Sequence, residues 1–148
     1  MKGRMAIGRA MRGLLAALAL ALPPLAPASA GSVASAGSPA RVSVSIPAAA
    51  KDAGIVMLEI GISARRPASG HLGAVVRLRP PGGVTVELGR ISVTAGGEQR
   101  YQFNAGALKR AAGGSAEVEV ELIDRGGGNG PLASGAELSV DQARIVTR

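Results

Sequence analysis

The chain has no cysteine, no tryptophan, one histidine (His71) and only two other aromatic residues, Tyr101 and Phe103. Each shortage removes a class of chemistry. Without cysteine there is no disulfide, no thiol nucleophile and no blue-copper centre, which needs Cys and two His. Zinc and copper sites normally gather several His or Cys ligands, and a single His cannot supply them. No Gly-x-Ser-x-Gly elbow occurs, and Ser69, two residues before His71, has no evident third partner. Carboxylates for glycoside hydrolysis exist in Glu59, Glu87, Glu98 and Asp124, but nothing in the sequence pairs them. Gly126–Gly130 has the composition of a phosphate loop without its Lys-Ser/Thr or a following helix. The expectation is a non-enzymatic protein that uses no cofactor and no metal.

Export is the expected fate. Lys2, Arg4, Arg9 and Arg12 form a basic head, Leu14–Leu22 is a short apolar run, and Pro23, Pro24 and Pro27 follow it. Ala28-Ser29-Ala30 then offers a small-x-small cleavage site, so residues 1–30 read as a secretory signal peptide. The run is short of the ~20 apolar residues of a spanning helix. A periplasmic or extracellular product, free of the membrane after cleavage, is therefore expected. Four of the chain's 17 basic residues and none of its 10 acidic ones lie in this segment. The remainder carries 13 against 10, a net of +3, which does not imply nucleic acid as a partner.

What is abundant is β-pattern. Ala116–Asp124 alternates strictly, with Glu117, Glu119 and Glu121 on one face and Val118, Val120 and Leu122 on the other. Residues 31–40 are small and polar and read as a flexible linker. Strands are then expected at Arg41–Ile46, Ile55–Ser63 and Leu72–Arg79, with Gly61 marking a bulge or a close backbone approach. In Val84–Ala95 the apolar phase flips at Gly89-Arg90. A two-residue hairpin turn is the expectation there, with one long bulged strand as the alternative. Glu98–Asn104 is the next strand. Its Tyr101 and Phe103 are expected to share a face with Ile91 and Val93 through a short odd-numbered loop. Asn104 can cap a short helix at Ala105–Ala112, which Gly113-Gly114 ends. A last strand over Ala136–Thr147 shifts phase at Asp141-Gln142.

Residues 41–148 thus form one all-β domain. It is an antiparallel β-sandwich of seven or eight strands with one short helix, either immunoglobulin-like or jelly-roll. The outward Arg77 and Arg79 either answer Glu117, Glu119 and Glu121 on a neighbouring strand or face solvent separately; both readings stay open. In the second case the glutamates are a candidate partner surface. Tyr101 and His71 are the candidate ligand contacts, Tyr101 as a stacking ring if it is exposed.

The order Gly89-Arg90-Ile91-Ser92-Val93, Tyr101-Gln102-Phe103-Asn104, Leu108, Val118–Arg125 and Ala143–Val146 resembles one known domain. It is similar to the C-terminal β-domain that follows the copper domain in bacterial tyrosinases and plant polyphenol oxidases, over about residues 72–147. In that family the domain is a β-sandwich that packs over the copper site and shields it. The resemblance implies a binding or shielding role beside another exported protein, such as a separately encoded copper oxidase. The copper domain's histidines are absent, so no oxidase activity is implied. Leu138–Ile145 is similar instead to the last strand of jelly-roll carbohydrate-binding modules, whose exposed aromatic platform has no counterpart here. That likeness implies a module of the cell envelope that binds carbohydrate or another small ligand.

Overall fold

Alternating side chains decide this fold. The computed structural model describes residues 32–66, 72–94, 96–124 and 135–148. Their strands are β1 (Ser32–Ser35), β2 (Ala40–Ser45), β3 (Val56–Arg66), β4 (Leu72–Arg79), β5 (Val86–Val93), β6 (Gln99–Asn104), β7 (Ser115–Asp124) and β8 (Glu137–Thr147). They form two antiparallel four-stranded sheets. Sheet A has the order β1-β8-β3-β6 and sheet B the order β2-β7-β4-β5. The signal segment, His71 and the glycine-rich stretch 125–134 lie outside the described residues.

The pairing rule is simple. β1 pairs with β8, β2 with β7, β3 with β6 and β4 with β5. That is one long antiparallel ribbon rolled over itself, the jelly-roll winding. An immunoglobulin order would instead split the chain into ABED and CFG sheets. Of the two architectures expected from sequence, the jelly roll is the one formed.

The core lies between the inner faces. Val42, Val44, Val76, Leu78, Val118, Val120 and Leu122 from sheet B meet Leu58, Ile60, Ile62, Leu138 and Val140 from sheet A, all buried. Each such aliphatic side chain contributes about 1.5–3 kcal/mol on full burial. Leu108, fully buried, closes one end from a 3-10 turn at Gly106–Ala111. This turn replaces the expected helix. The N-cap of this turn is Ala105, without a side-chain capping bond; Asn104, one residue earlier, accepts from the Gly106 amide on its Oδ1 at 2.8 Å.

Three further expectations are corrected. Ser32–Ser35 is an edge strand, although residues 31–40 read as a linker. Val33 pairs with Ser139, and Ala34, opposite Leu138, is fully buried. Four small residues carry too short a pattern to announce a strand; the open edge of β8 recruits them.

The phase flip near Gly89 is a bulge, not a hairpin. Val76 faces Gly89 and Arg77 faces Glu87, so Leu88 is the extra residue in one continuous β5. A hairpin turn with Gly first needs a positive φ there, and Gly89 is not among the positive-φ glycines. Gly89 serves another purpose: a Cβ at this position would lie 3.1 Å from the Phe103 ring.

The third correction concerns the aromatic pair. β5 and β6 belong to different sheets, so Tyr101 and Phe103 do not join Ile91 and Val93 through a hairpin. They stand at the side of the sandwich where the two edge strands face each other, and both pack against the core.

β8 contains the irregularity expected at Asp141-Gln142. Ile62 pairs with Val140 and Gly61 with Gln142, which leaves Asp141 as the bulged residue opposite Gly61.

Candidate functional site

The acidic ladder of β7 is built into sheet B. Arg41, Glu119, Arg77 and Glu87 stand in one transverse row across β2, β7, β4 and β5, with charge alternating in sign. Arg77 Nη1 donates to Glu119 Oε1 at 3.2 Å and to Glu121 Oε2 at 2.6 Å; Arg41 Nε donates to Glu119 Oε2 at 3.2 Å. The hydrogen bond to Glu121 holds the Arg77 guanidinium above its ordinary pKa. Arg79, in register with Glu117, turns its Nε to Thr85 Oγ1 at 3.0 Å. Of the two arginines read from sequence, Arg77 meets the ladder, and Arg41 joins it from the other side.

Tyr101 is half-buried. Its hydroxyl lies 2.7 Å from both the Ser92 carbonyl and Gln99 Oε1, and burial pushes its pKa up. The ring packs between sheets and does not stand clear as a platform. Phe103 is also half-buried, beside Gly89.

A different group of residues surrounds a cleft on sheet A. Successive residues of a strand point to opposite faces, so one face of sheet A carries Glu59 and Gly61 of β3, Arg100 and Gln102 of β6, and Gln142 and Arg144 of β8. Register sets them in two rows, Arg144–Glu59–Gln102 and Gln142–Gly61–Arg100. They line a cleft of about 180 Å3, together with Ile60 and Tyr101. Gly61 is the cause: one side chain is missing from the middle of the second row.

The first row is locked. Glu59 Oε1 accepts from Gln102 Nε2 at 2.7 Å, and Glu59 Oε2 accepts from Arg144 Nε at 2.7 Å and Nη2 at 2.5 Å. These bonds, that to Arg144 foremost, hold the Glu59 carboxyl below the ordinary range. The second row is closed by Glu98, which precedes β6. Its Oε1 accepts from Gln142 Nε2 at 2.5 Å and from Arg100 Nε at 3.0 Å. These two bonds, Gln142 first, lower its pKa in turn. That oxygen lies where a Gly61 side chain would be, so any Cβ at Gly61 would collide with it.

Carboxylates held below their ordinary pKa are ionised near neutral pH and are poorly matched to general-acid work. The amide oxygens of Gln102 and Gln142 accept nothing from the described residues. The cleft therefore offers planar polar groups of both kinds, donors and acceptors, on a rigid sheet face. No cluster of three or more His, Cys, Asp or Glu among the described residues could hold a metal ion.

Gly61, the phase shift at Asp141-Gln142, and Glu59 and Glu98 are each visible singly in the sequence. Nothing there brings them together, because β3, β8 and the residue that precedes β6 are far apart in the chain. No protein-family model matches this chain, and no curated protein is similar to it in sequence.

Proposed function

We propose that the chain is an exported, non-catalytic binding module that takes a small polyhydroxyl ligand, carbohydrate in class, on the outer face of sheet A. The observation that carries this reading is the cleft over Gly61. Carboxylate, amide and guanidinium groups converge there at fixed register, and such planar groups match the paired hydroxyls of a sugar. The jelly-roll winding supports it, since lectin domains are among the proteins built this way.

The resemblance to the tyrosinase C-terminal domain favours a protein partner, with the Glu117, Glu119 and Glu121 face as its surface. Arg41 and Arg77 already occupy Glu119 and Glu121, which leaves that face near neutral and supports the small-ligand reading over it.

A glycan array probed with the full chain tests the proposal. Binding of one oligosaccharide class, lost in Arg144→Ala and Gln102→Ala but kept in Arg79→Ala, is the expected result. Binding indifferent to Arg144 and Gln102 would overturn this site; capture of a copper oxidase from the exported fraction would favour the partner reading.

A further inference from the structure

The two rows of the cleft are not equivalent. In the first, Glu59 uses both oxygens, one on Gln102 and one on Arg144. In the second, Arg100 Nε and Gln142 Nε2 are both donors, and they converge on a single acceptor, Glu98 Oε1. Gly61 leaves the space beneath that oxygen open, since any side chain there would collide with it. Two donors, one of them cationic, above a backbone floor with no side chain make a seat shaped for a carboxylate.

The carboxylate now in the seat is the protein's own. Glu98 belongs to no strand. It follows Gly96, which has φ +112°, and Gly97, so little side-chain bulk ties its backbone down. Arg100 is largely exposed, with 74 % of its side-chain surface open, and can follow a ligand without loss of core packing.

We propose that Glu98 is an internal stand-in for a ligand carboxylate, and that the sugar taken by this cleft is an acidic one, a uronic-acid residue of an oligosaccharide. This rests on the carbohydrate reading of the same cleft and narrows it. The ligand's carboxylate replaces that of Glu98 between Arg100 and Gln142, and its hydroxyls meet the amide oxygens of Gln102 and Gln142, which accept nothing from the described residues. No bond is made or broken; the step is an exchange of one hydrogen-bonded carboxylate for another. Because Glu98 competes with the ligand, wild-type affinity is reduced by the fraction of molecules in which the seat is already filled.

The test compares the full chain with Glu98→Ala and Arg100→Ala on oligogalacturonate, oligoglucuronate and the matching neutral oligosaccharides, by calorimetry. Glu98→Ala is expected to tighten uronate binding on the order of fivefold, the scale of one surface ion pair. Arg100→Ala is expected to weaken it, and neutral sugars should respond to neither. Glu98→Gln keeps the shape without the charge and should fall between wild type and Glu98→Ala; thermal melts check that each variant is folded. Weaker or unchanged uronate binding in Glu98→Ala would overturn the stand-in. Neutral oligosaccharides bound as tightly as the uronates, by wild type and Glu98→Ala alike, would overturn the acidic specificity and leave the carbohydrate reading intact. No binding of any sugar by wild type or Glu98→Ala would overturn both.

Discussion

The Tyr101 hydroxyl reaches the Ser92 carbonyl at 2.7 Å, and the two residues sit on different sheets. Tyr101 is on β6, the edge of sheet A, and Ser92 on β5, the edge of sheet B. Among the described residues no strand ladder joins those edges, so this contact, the Phe103–Gly89 approach and the bonds from Gln99 Nε2 to the Thr94 carbonyl and hydroxyl, at 2.8 and 2.9 Å, close that side of the sandwich. Tyr101→Phe keeps the ring and removes the bond. It should cost about 0.5–1.5 kcal/mol in urea unfolding, the net worth of one hydrogen bond. An unchanged midpoint would mean that the ring and the Gln99–Thr94 bonds close the edge without the hydroxyl.

Ala34 supplies a sharper test of where the domain begins. It is fully buried on β1, against Leu138. A linker residue would tolerate any substitution within about 0.5 kcal/mol. Ala34→Asp places an unpartnered carboxylate in the core and should cost about 3 kcal/mol. Ala36 lies exposed in the turn that follows β1. Ala36→Asp should be nearly silent, and the contrast between the two would be read from urea midpoints.

These two sites also show what the sequence could disclose. β7 was legible to within one residue, because Glu and Val alternate through Glu117–Leu122 and only one period fits. The bulge at Asp141 was legible for the same reason, as a phase shift in a clear pattern. At Gly89 the pattern was equally clear but degenerate: a hairpin and a bulge produce the same phase flip, and the backbone dihedral that separates them is not written in the side chains. β1 was invisible because Ser, Val and Ala show little contrast over four residues, and its strand exists only through its partner. The cleft had each part visible and no assembly. Glu59 meets Arg144 across 85 positions of sequence, and only the jelly-roll winding makes them neighbours.

Arg77 spans Glu119 and Glu121 with its side chain largely shielded, while Glu121 is more open. Geometry is good, but solvent screens the pair. A double-mutant cycle with Arg77→Met and Glu121→Gln should give a coupling of about 0.5–1 kcal/mol at low salt. In about 1 M sodium chloride, where screening acts over about 3 Å, the coupling should shrink towards zero. A coupling that persisted in salt would indicate a pair far better shielded than this face allows.

The carboxylates of the two sheets make acid the weak side of this fold. Glu59 is lowered by its hydrogen bonds to Arg144 and Gln102, Glu87 by Arg90, and Glu98 by Gln142 and Arg100, each from an ordinary value of 4.5. A carboxyl whose folded pKa lies below its unfolded one favours the folded state only while it is ionised. Its contribution is fully present above the unfolded value and is lost as pH falls through the folded one. The urea midpoint should therefore change little from these groups above about pH 5 and drop progressively below about pH 4.5. Glu59→Gln removes one of the three titrations. It should start lower at about pH 7, because Arg144 and Gln102 lose a charged acceptor, and then fall less steeply in acid, so that the two curves converge towards low pH. Parallel curves would show that Glu59 titrates alike in the folded and unfolded chain. In that case the Arg144–Glu59–Gln102 row would not be the rigid floor on which the cleft depends.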